Sequence, residues 1–400
     1  MRGTLSQHRC IGLLILLLGV FHSSLAQAYP WMIKHGFFNC GSCHTDVSGG
    51  ETLTRMGRVE AEELLTWSAA SPGEMHAYSQ FLFGLREPEG IRLGGSYRHM
   101  LVYTAPKDGA ASDLAQFPMQ LDLYGSAHLG MLVLGGSIGV ARGITGSANV
   151  RGAQINRELE EGWIALSRSH FIGVQLDPHT LLRAGRIALP FGLRIPEHVM
   201  WVRESTRTDR ESDQQHGVAL AYSDGPLRLE LMGILGNFQI YPDRYRERGY
   251  SAFAELLVSP TGAVGVSSLL TFANEDRFTQ DVRAVRQAHG MSARLGVSRE
   301  WALLAEADFL KEGRRGWGGA GLVQTDYEPL RGLHLLLTGE VVDSGALPGG
   351  IPRSPGNGHP RFGGWVSVDL HFYSHFELRV DLVQRQESPL SLQTQFHMFL

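Results

Sequence analysis

Apolar and polar side chains alternate with a period of two from about residue 91 to the last residue of this 400-residue chain. In one such run Val366 and Val368 alternate with Ser367 and Asp369. Strict alternation means that each strand has one apolar face and one polar face. The chain is therefore expected to be mainly β.

The connections between these strands distinguish a membrane barrel from a soluble sandwich, which would show the same periodicity. Tight turns such as 223–226 alternate with long polar loops such as 189–212 and 343–361. Short turns on one rim and long loops on the other are typical of outer-membrane barrels. We therefore predict an antiparallel transmembrane β-barrel of about sixteen strands over residues 89–400. The predicted strands are 91–104, 116–129, 131–142, 159–168, 179–188, 213–223, 226–236, 249–259, 262–273, 290–299, 301–311, 316–327, 332–342, 362–373, 375–385 and 391–400.

The N-terminus has the features of an export signal. Arg2 and Arg9 precede an apolar run over 10–21, and Ala26-Gln27-Ala28 follows. This pattern predicts a secretory signal peptide over 1–28. An uncleaved anchor is the alternative, although spanning a bilayer takes roughly 20 residues. The net charge of −4 argues against a nucleic-acid partner.

Only two cysteines, Cys40 and Cys43, remain after the predicted signal peptide, and His44 follows them directly. Cys-X-X-Cys-His is the attachment signature of c-type haem. Two thiols one helical turn apart can each form a thioether, and the adjacent imidazole can bind the iron. We predict one covalently bound haem c attached at Cys40 and Cys43, with His44 as the proximal iron ligand.

Three other interpretations of the motif remain. A thioredoxin-type redox pair expects a surrounding βαβ pattern, which the neighbouring residues do not show. A structural zinc site needs further ligands at zinc spacings. A plain disulfide loop leaves His44 unexplained.

The sixth iron ligand is not decided by the motif. His35 and Met56 are the leading candidates, and an open five-coordinate iron is a third option. A Met ligand gives a higher reduction potential than a second His. We favour His35 slightly, while a solvated loop histidine explains it equally well. Other residues within reach are Met32, Met75 and His76.

Residues 29–88 are predicted to form a small periplasmic haem-binding segment with short helices over 60–67 and 71–83. Ser71-Pro72-Gly73-Glu74 has the pattern of a capping box that opens the second helix. An even number of strands places both ends of a barrel on its short-turn, periplasmic side. This segment should therefore hang in the periplasm or fold into the periplasmic mouth.

Two stretches resemble known families. Residues 183–194, with Gly185-Arg186 and Pro190-Phe191-Gly192, resemble a strand-to-loop stretch of phosphate-selective-type porins. Arg183, Arg186 and Arg194 would then line a selective constriction, or be polar-face charges balanced by nearby acids, which we favour. Residues 29–58, which contain the haem motif, resemble the start of bacterial monohaem porin-cytochrome proteins. That resemblance covers nearly the whole chain when taken with the barrel.

The resemblance to monohaem porin-cytochromes implies electron transfer at the outer membrane, with periplasmic or multihaem cytochromes as redox partners. The alternative is a solute-diffusion porin whose haem segment is a plug, a gate or a redox sensor. An enzyme such as a haem peroxidase needs distal acid–base groups, and the sequence shows no such constellation. Outer-membrane lipid would surround the barrel, and an oligomer such as a porin trimer is compatible with the sequence.

Overall fold

The computed structural model describes residues 29–67, 87–109, 111–142, 163–195, 200–347, 354–355, 358–373 and 375–400. The predicted signal peptide over 1–28 and the predicted helix over 71–83 lie outside these ranges. Within them, no helix is both long and apolar enough to span a bilayer.

All but two of the described strands form one closed antiparallel barrel. The described strands are β1 (Ile91–Thr104), β2 (Asp113–Leu129), β3 (Leu132–Arg142), β4 (Trp163–Leu166), β5 (His170–Asp177), β6 (Thr180–Ile187), β7 (Gln215–Asp224), β8 (Leu227–Gly236), β9 (Arg248–Ser259), β10 (Gly262–Glu275), β11 (Val282–Gly296), β12 (Trp301–Glu312), β13 (Gly318–Leu330), β14 (Leu333–Asp343), β15 (Ser354–Pro355), β16 (Gly358–His359), β17 (Arg361–Tyr373), β18 (Phe376–Arg385) and β19 (Ser391–Phe399). Each wall strand pairs with the next, and β1 pairs with β19 to close the sheet. Because β4 and β5 both pair with β3, they make one interrupted wall strand. The wall therefore has sixteen strands, as predicted; β15 and β16 pair only with each other.

Two strand boundaries differ from the prediction. The segment β5 was missed, although Ile172, Val174 and Leu176 all point outward from it. Its inward positions include Gly173, so the alternation there is weak and the sequence predicted no strand over these residues. Strand β11 begins at Val282 rather than at residue 290, which shortens the loop predicted over 274–289.

The barrel has polar side chains inside and apolar side chains outside. On β2, Leu123 is 58% exposed while its neighbour Asp122 is 1% exposed. On β8, Leu229 and Leu231 point outward and Glu230 is buried. An outward apolar band around a polar interior is the pattern of a barrel surrounded by lipid.

The short turns gather on one rim, which we call the short-turn rim; among them are 130–131, 178–179, 225–226, 260–261 and 331–332. Short helices form in the connecting segments and in the residues before β1, not in the wall strands. They are 3-10 helices at Pro30–His35, Cys40–Ser42 and Asp243–Tyr245, a π-helix at Ala61–Leu65, and the α-helices α1 (Arg55–Glu60) and α2 (Trp201–Thr206). The helix predicted over 60–67 thus begins earlier, at Arg55. Thr54 caps it, because its Oγ1 accepts a hydrogen bond from the Gly57 N–H at 3.0 Å.

Two segments contact the inner wall of the barrel. The first is residues 29–67, which we call the plug. The second is the inward loop, residues 188–214, which contains α2 and of which 196–199 lie outside the description. The loop contacts inward-facing side chains of several wall strands, including Ser251 on β9, Ser267 on β10 and Glu340 on β14.

Candidate functional site in the barrel lumen

A buried lysine anchors the first helix of the plug to the wall. Lys34 Nζ donates to Asp326 Oδ2 at 2.6 Å and lies 2.8 Å from Glu328 Oε2. The side chains of Lys34 and Asp326 are fully buried. An ion pair this deeply buried persists only when both partners are present and further hydrogen bonds satisfy them. His334 supplies such a bond, with Nδ1 2.9 Å from Asp326 Oδ1.

The same helix packs directly on the backbone of β11. A Cβ atom on Gly296 would overlap the backbone of Lys34, so only glycine permits this approach. The plug is therefore fitted to the wall by shape as well as by charge.

The Cys-X-X-Cys-His motif forms a single turn inside the barrel. The His44 N–H donates to the Cys40 carbonyl at 3.0 Å, which closes one helical turn. Thr54 ties the turn to α1, since its Oγ1 donates to the Ser42 carbonyl at 2.9 Å and its N–H to the Cys43 carbonyl at 2.7 Å. Cys40 is 5% exposed, Cys43 is fully buried, and no disulfide joins the two.

An ion pair holds the residues that follow the motif. Asp46 pairs with Arg183 of β6 and accepts hydrogen bonds from the N–H and the hydroxyl of Ser48. Burial alone would raise the pKa of Asp46, but Arg183 and Ser48 outweigh it and lower that pKa. Asp46 is therefore a carboxylate at neutral pH, and the pair with Arg183 is charged.

The arginines of the porin-like stretch are largely balanced, as the favoured interpretation predicted. Arg183 pairs with Glu230 as well as Asp46, and Arg194 pairs with Glu230 at 2.7 Å. Arg186 instead donates to the carbonyls of Ser167 and Arg168 and to the side chain of Gln214.

His44 is held in one tautomer. Its Nδ1 lies 2.8 Å from the Gly50 carbonyl oxygen. A carbonyl only accepts, so Nδ1 carries the proton and Nε2 carries the lone pair. Burial and the nearby Arg210 lower the pKa of His44 to about 4, so the imidazole is neutral at pH 7. A neutral imidazole whose other nitrogen donates to a carbonyl is the usual state of a metal-ligating histidine.

A cavity of about 150 Å³, partly open to solvent, lies beside His44. The plug, the wall and the inward loop all contribute to its lining, which is mixed apolar and cationic. Its lining includes Tyr29, Leu53 and Leu65 of the plug, Arg98, Tyr124, His397 and Phe399 of the wall, and Arg194, Arg210 and Glu211 of the inward loop.

The two predicted candidates for the sixth ligand lie elsewhere in the plug. His35 Nε2 is 3.3 Å from Glu328 Oε2, next to the Lys34 anchor. Met56 is partly buried and packs against the hydrophobic cluster of the lumen. Neither is among the described residues that line the cavity, and their role as ligands stays a prediction.

His397 was not singled out from the sequence. It lines the cavity and is held between Glu377 and Ser96, both at 2.9 Å. A lone histidine in an alternating strand carries no local signal, because only the closure of β19 on β1 brings it towards His44.

His44 and the arginines beside it are the residues that would hold a haem, while neither Cys40 nor Cys43 is among the described residues that line the cavity. The neutral imidazole faces a cavity with apolar walls, and arginines line the same space. Arg194 Nη1 is buried and has no hydrogen-bond partner, as expected if a bound group supplies the acceptor. The described residues include no group of three or more His, Cys, Asp or Glu side chains placed to hold a bare metal ion.

The fold is that of known outer-membrane porins. The channel DcaP of Acinetobacter baumannii has a TM-score of 0.55 and 13% identity, covering 79% of this chain and 99% of that one. Salmonella typhi OmpF has a TM-score of 0.59 and 12% identity, covering 78% of this chain and 97% of that one. An anion-selective porin from Comamonas acidovorans has a TM-score of 0.56 and 10% identity, covering 78% of this chain and 99% of that one. No protein-family model matches the chain, and no curated protein matches its sequence. The chain therefore has a porin-like, sixteen-stranded barrel fold.

Proposed function

We propose that this protein is an outer-membrane channel whose lumen is closed by the plug, and that the plug carries one haem c at Cys40 and Cys43. In this arrangement the short-turn rim faces the periplasm. The observation that carries the proposal is the position of the plug, whose haem motif lies between the barrel wall and the inward loop. The similar solved structures support the channel part of the proposal through their shared fold.

Three contacts at different points along the plug support a closed channel. Lys34 is anchored at β13, Asp46 at Arg183 of β6, and the Gly49 carbonyl accepts a hydrogen bond from Arg210 of the inward loop. The plug thus touches the wall on two sides and the loop within the lumen. A solute that crosses the barrel must displace the plug or pass around it.

The residues of the plug would also determine the ligand and the surroundings of a bound haem. A bound haem c would supply a one-electron carrier that alternates between Fe(III) and Fe(II). His44 presents the lone pair of Nε2 while Gly50 holds its Nδ1 proton. Leu53 and Leu65 give one side of the cavity an apolar surface, and Phe399 does so from the wall.

Electron transfer at the cell envelope is the second candidate function, with periplasmic or multihaem cytochromes as redox partners. It is favoured by the depth of the haem motif. Asp46, two residues after His44, reaches Arg183, the fourth residue of β6 from the short-turn rim. A carrier inside the lumen is closer to the far face of a membrane, about 40 Å thick, than one hanging below the barrel.

The channel part is tested by conductance of the full-length protein in planar bilayers. We expect small conductance for the wild type and a clear increase for Lys34→Met, which removes the buried anchor of the plug. Arg246→Gln, which alters a partly exposed pair with Asp243 on the loop between β8 and β9, remote from the plug, is the matched control. An equally large open conductance in the wild type and both variants would refute a closing plug.

The haem part is tested on outer-membrane fractions by a haem-stained denaturing gel. Stain should run with the wild type and vanish in Cys40→Ala/Cys43→Ala. Unstained wild type would leave a plugged porin without a haem. Loaded wild type whose haem is reduced and reoxidised by a multihaem cytochrome would support the electron-transfer candidate.

A further inference from the structure

The guanidinium group of Arg194 has one hydrogen-bond donor without a partner, and Arg194 lines the cavity beside His44. Its side chain is nine-tenths buried, and Nη2 is bound to Glu230 Oε1 at 2.7 Å. Its Cζ lies 5.3 Å from the centre of the Phe253 ring. Nη1 is buried without a partner, while the residue lines the cavity beside His44. Leaving a buried charged donor unsatisfied is costly, so this position favours a ligand with an acceptor.

The cations around this cavity outnumber the carboxylates that face it. Arg98, Arg194 and Arg210 line the space, against Glu51 and Glu211. Burial and the proximity of Asp46 raise the pKa of Glu51 to about 7, which leaves it partly neutral at pH 7. Arg210 already donates to the Gly49 carbonyl and lies 3.9 Å from Glu211. The electrostatic balance therefore favours an anionic ligand.

We propose that Arg194 and Arg210 form a carboxylate-binding pair in this cavity. Guanidinium groups bind carboxylates with directed, charge-assisted hydrogen bonds, which Arg194 Nη1 is free to make. The carboxylates come from the two propionates of the haem, or from a small dicarboxylate that enters the channel. The first source rests on the proposed haem, whereas the second does not.

The pair has a structural consequence for the channel. Both arginines belong to the inward loop, and His44 belongs to the plug. A ligand held by all three would join the plug to the loop at a second point besides the Gly49–Arg210 contact. The inward loop would then respond to what the cavity holds.

The first experiment uses the haem-loaded full-length protein in detergent micelles. The midpoint potential is measured by spectroelectrochemical titration for the wild type, Arg194→Gln, Arg194→Lys and Arg246→Gln. A positive charge beside the haem favours the reduced form, so Arg194→Gln should lower the potential and Arg194→Lys should restore most of it. Arg246→Gln should leave the potential unchanged. Arg210→Gln probes the same pair if Arg194→Gln fails to fold.

The second experiment uses the haem-free Cys40→Ala/Cys43→Ala variant with succinate as the probe. Calorimetric titration should show a decrease in affinity of about tenfold or more when Arg194→Gln is added, because a charge-assisted hydrogen bond is lost. A potential shift without succinate binding assigns the site to haem propionates, and binding without a shift assigns it to a solute. If Arg194→Gln changes neither measurement, the proposal is wrong. Wild-type protein without haem would refute only the haem part, and the succinate titration would still test the pair.

Discussion

The plug and the inward loop both fill the lumen, but they are held there in different ways. The inward loop is joined to wall strands at both ends, β6 and β7. Its helix α2 is fixed by the pair Arg203–Glu306 and by the Trp201 N–H, which donates to Glu340 at 2.8 Å. The plug precedes β1, and among the described residues it is joined along the chain to a wall strand at its C-terminal end. A segment tethered at one end can leave the lumen without breaking the barrel.

This difference assigns separate roles to the two segments. The inward loop is part of the barrel core, since its apolar residues Phe191, Leu193 and Met200 are buried with the residues of the wall. The plug shares the same hydrophobic cluster through Trp31, Met32 and Phe37, and the buried ion pairs of Lys34 and Asp46 add to this packing. We therefore expect changes in the plug to alter channel behaviour, and changes in the loop to alter the stability of the whole barrel.

The largest expected effect follows removal of the plug. Deleting residues 29–67 should give a large increase in planar-bilayer conductance while the barrel still inserts. Deleting 191–210 instead should prevent stable folding, because the buried acid Glu306 would lose its cation Arg203 and Glu340 would lose the Trp201 N–H. Heat-modifiable gel migration reports barrel folding for both. Equal conductance before and after deletion of the plug would contradict the comparison.

The next effect comes from the buried anchor. Lys34→Met leaves Asp326 and Glu328 without their cation, which should cost about 3–5 kcal/mol of plug docking free energy. The measurement is tryptic cleavage within residues 29–67. Arg246→Ala is the control and should cost about 0–1 kcal/mol, because its partner Asp243 is 63% exposed. Unchanged protection in Lys34→Met would show that other contacts hold the plug.

A pH dependence is expected from Glu51. Burial raises its pKa in the folded protein to about 7, from 4.5 in the unfolded chain. The docking free energy of the plug is therefore most favourable below pH 4.5. This advantage, at most about 3 kcal/mol, is lost as the pH rises through 7. Glu51→Gln should remove the dependence in protease protection between pH 5 and 8, whereas the exposed Glu89→Gln should keep it. Protection that increases with pH in the wild type would reverse the predicted sign.

The smallest effect tests the fit between plug and wall. Gly296→Ala places a methyl group against the backbone of Lys34 and should weaken docking by about 1–3 kcal/mol. Gly339→Ala, where a Cβ would meet nothing within 4 Å, is the matched control. Hydrogen exchange of residues 30–35 measures both variants. Equal exchange in the two would mean that the helix shifts away from β11 at no cost.

The wall of the barrel could be predicted from the sequence because its signal is local. Side chains two positions apart share a face, so alternation alone revealed nearly all of the strands and the sixteen-strand count. The failures were local as well. The alternation of β5 is interrupted at Gly173, and β4 and β5 form one wall strand only because both pair with β3.

The site was predicted only in part. The sequence singled out Cys40, Cys43 and His44 because their spacing is a motif, and it gave no reason to join them to His397 or Arg210. Those residues come together through the closure of β19 on β1 and through a loop that folds inward. Neither event is indicated by a local sequence pattern around His397 or Arg210. The Asp46–Arg183 ion pair is another example, since its two residues are remote in the chain and adjacent in the lumen.

The sequence by itself determined the barrel, the porin-like stretch and the haem motif, since each is a pattern of neighbouring residues. Only the tertiary structure decided that the motif lies inside the barrel rather than below it. Lys34 meets Asp326 across 292 positions of the chain, and Gly296 admits the plug helix by lacking a side chain. Charge pairing and close packing between distant segments depend on the complete fold, and no local pattern records them.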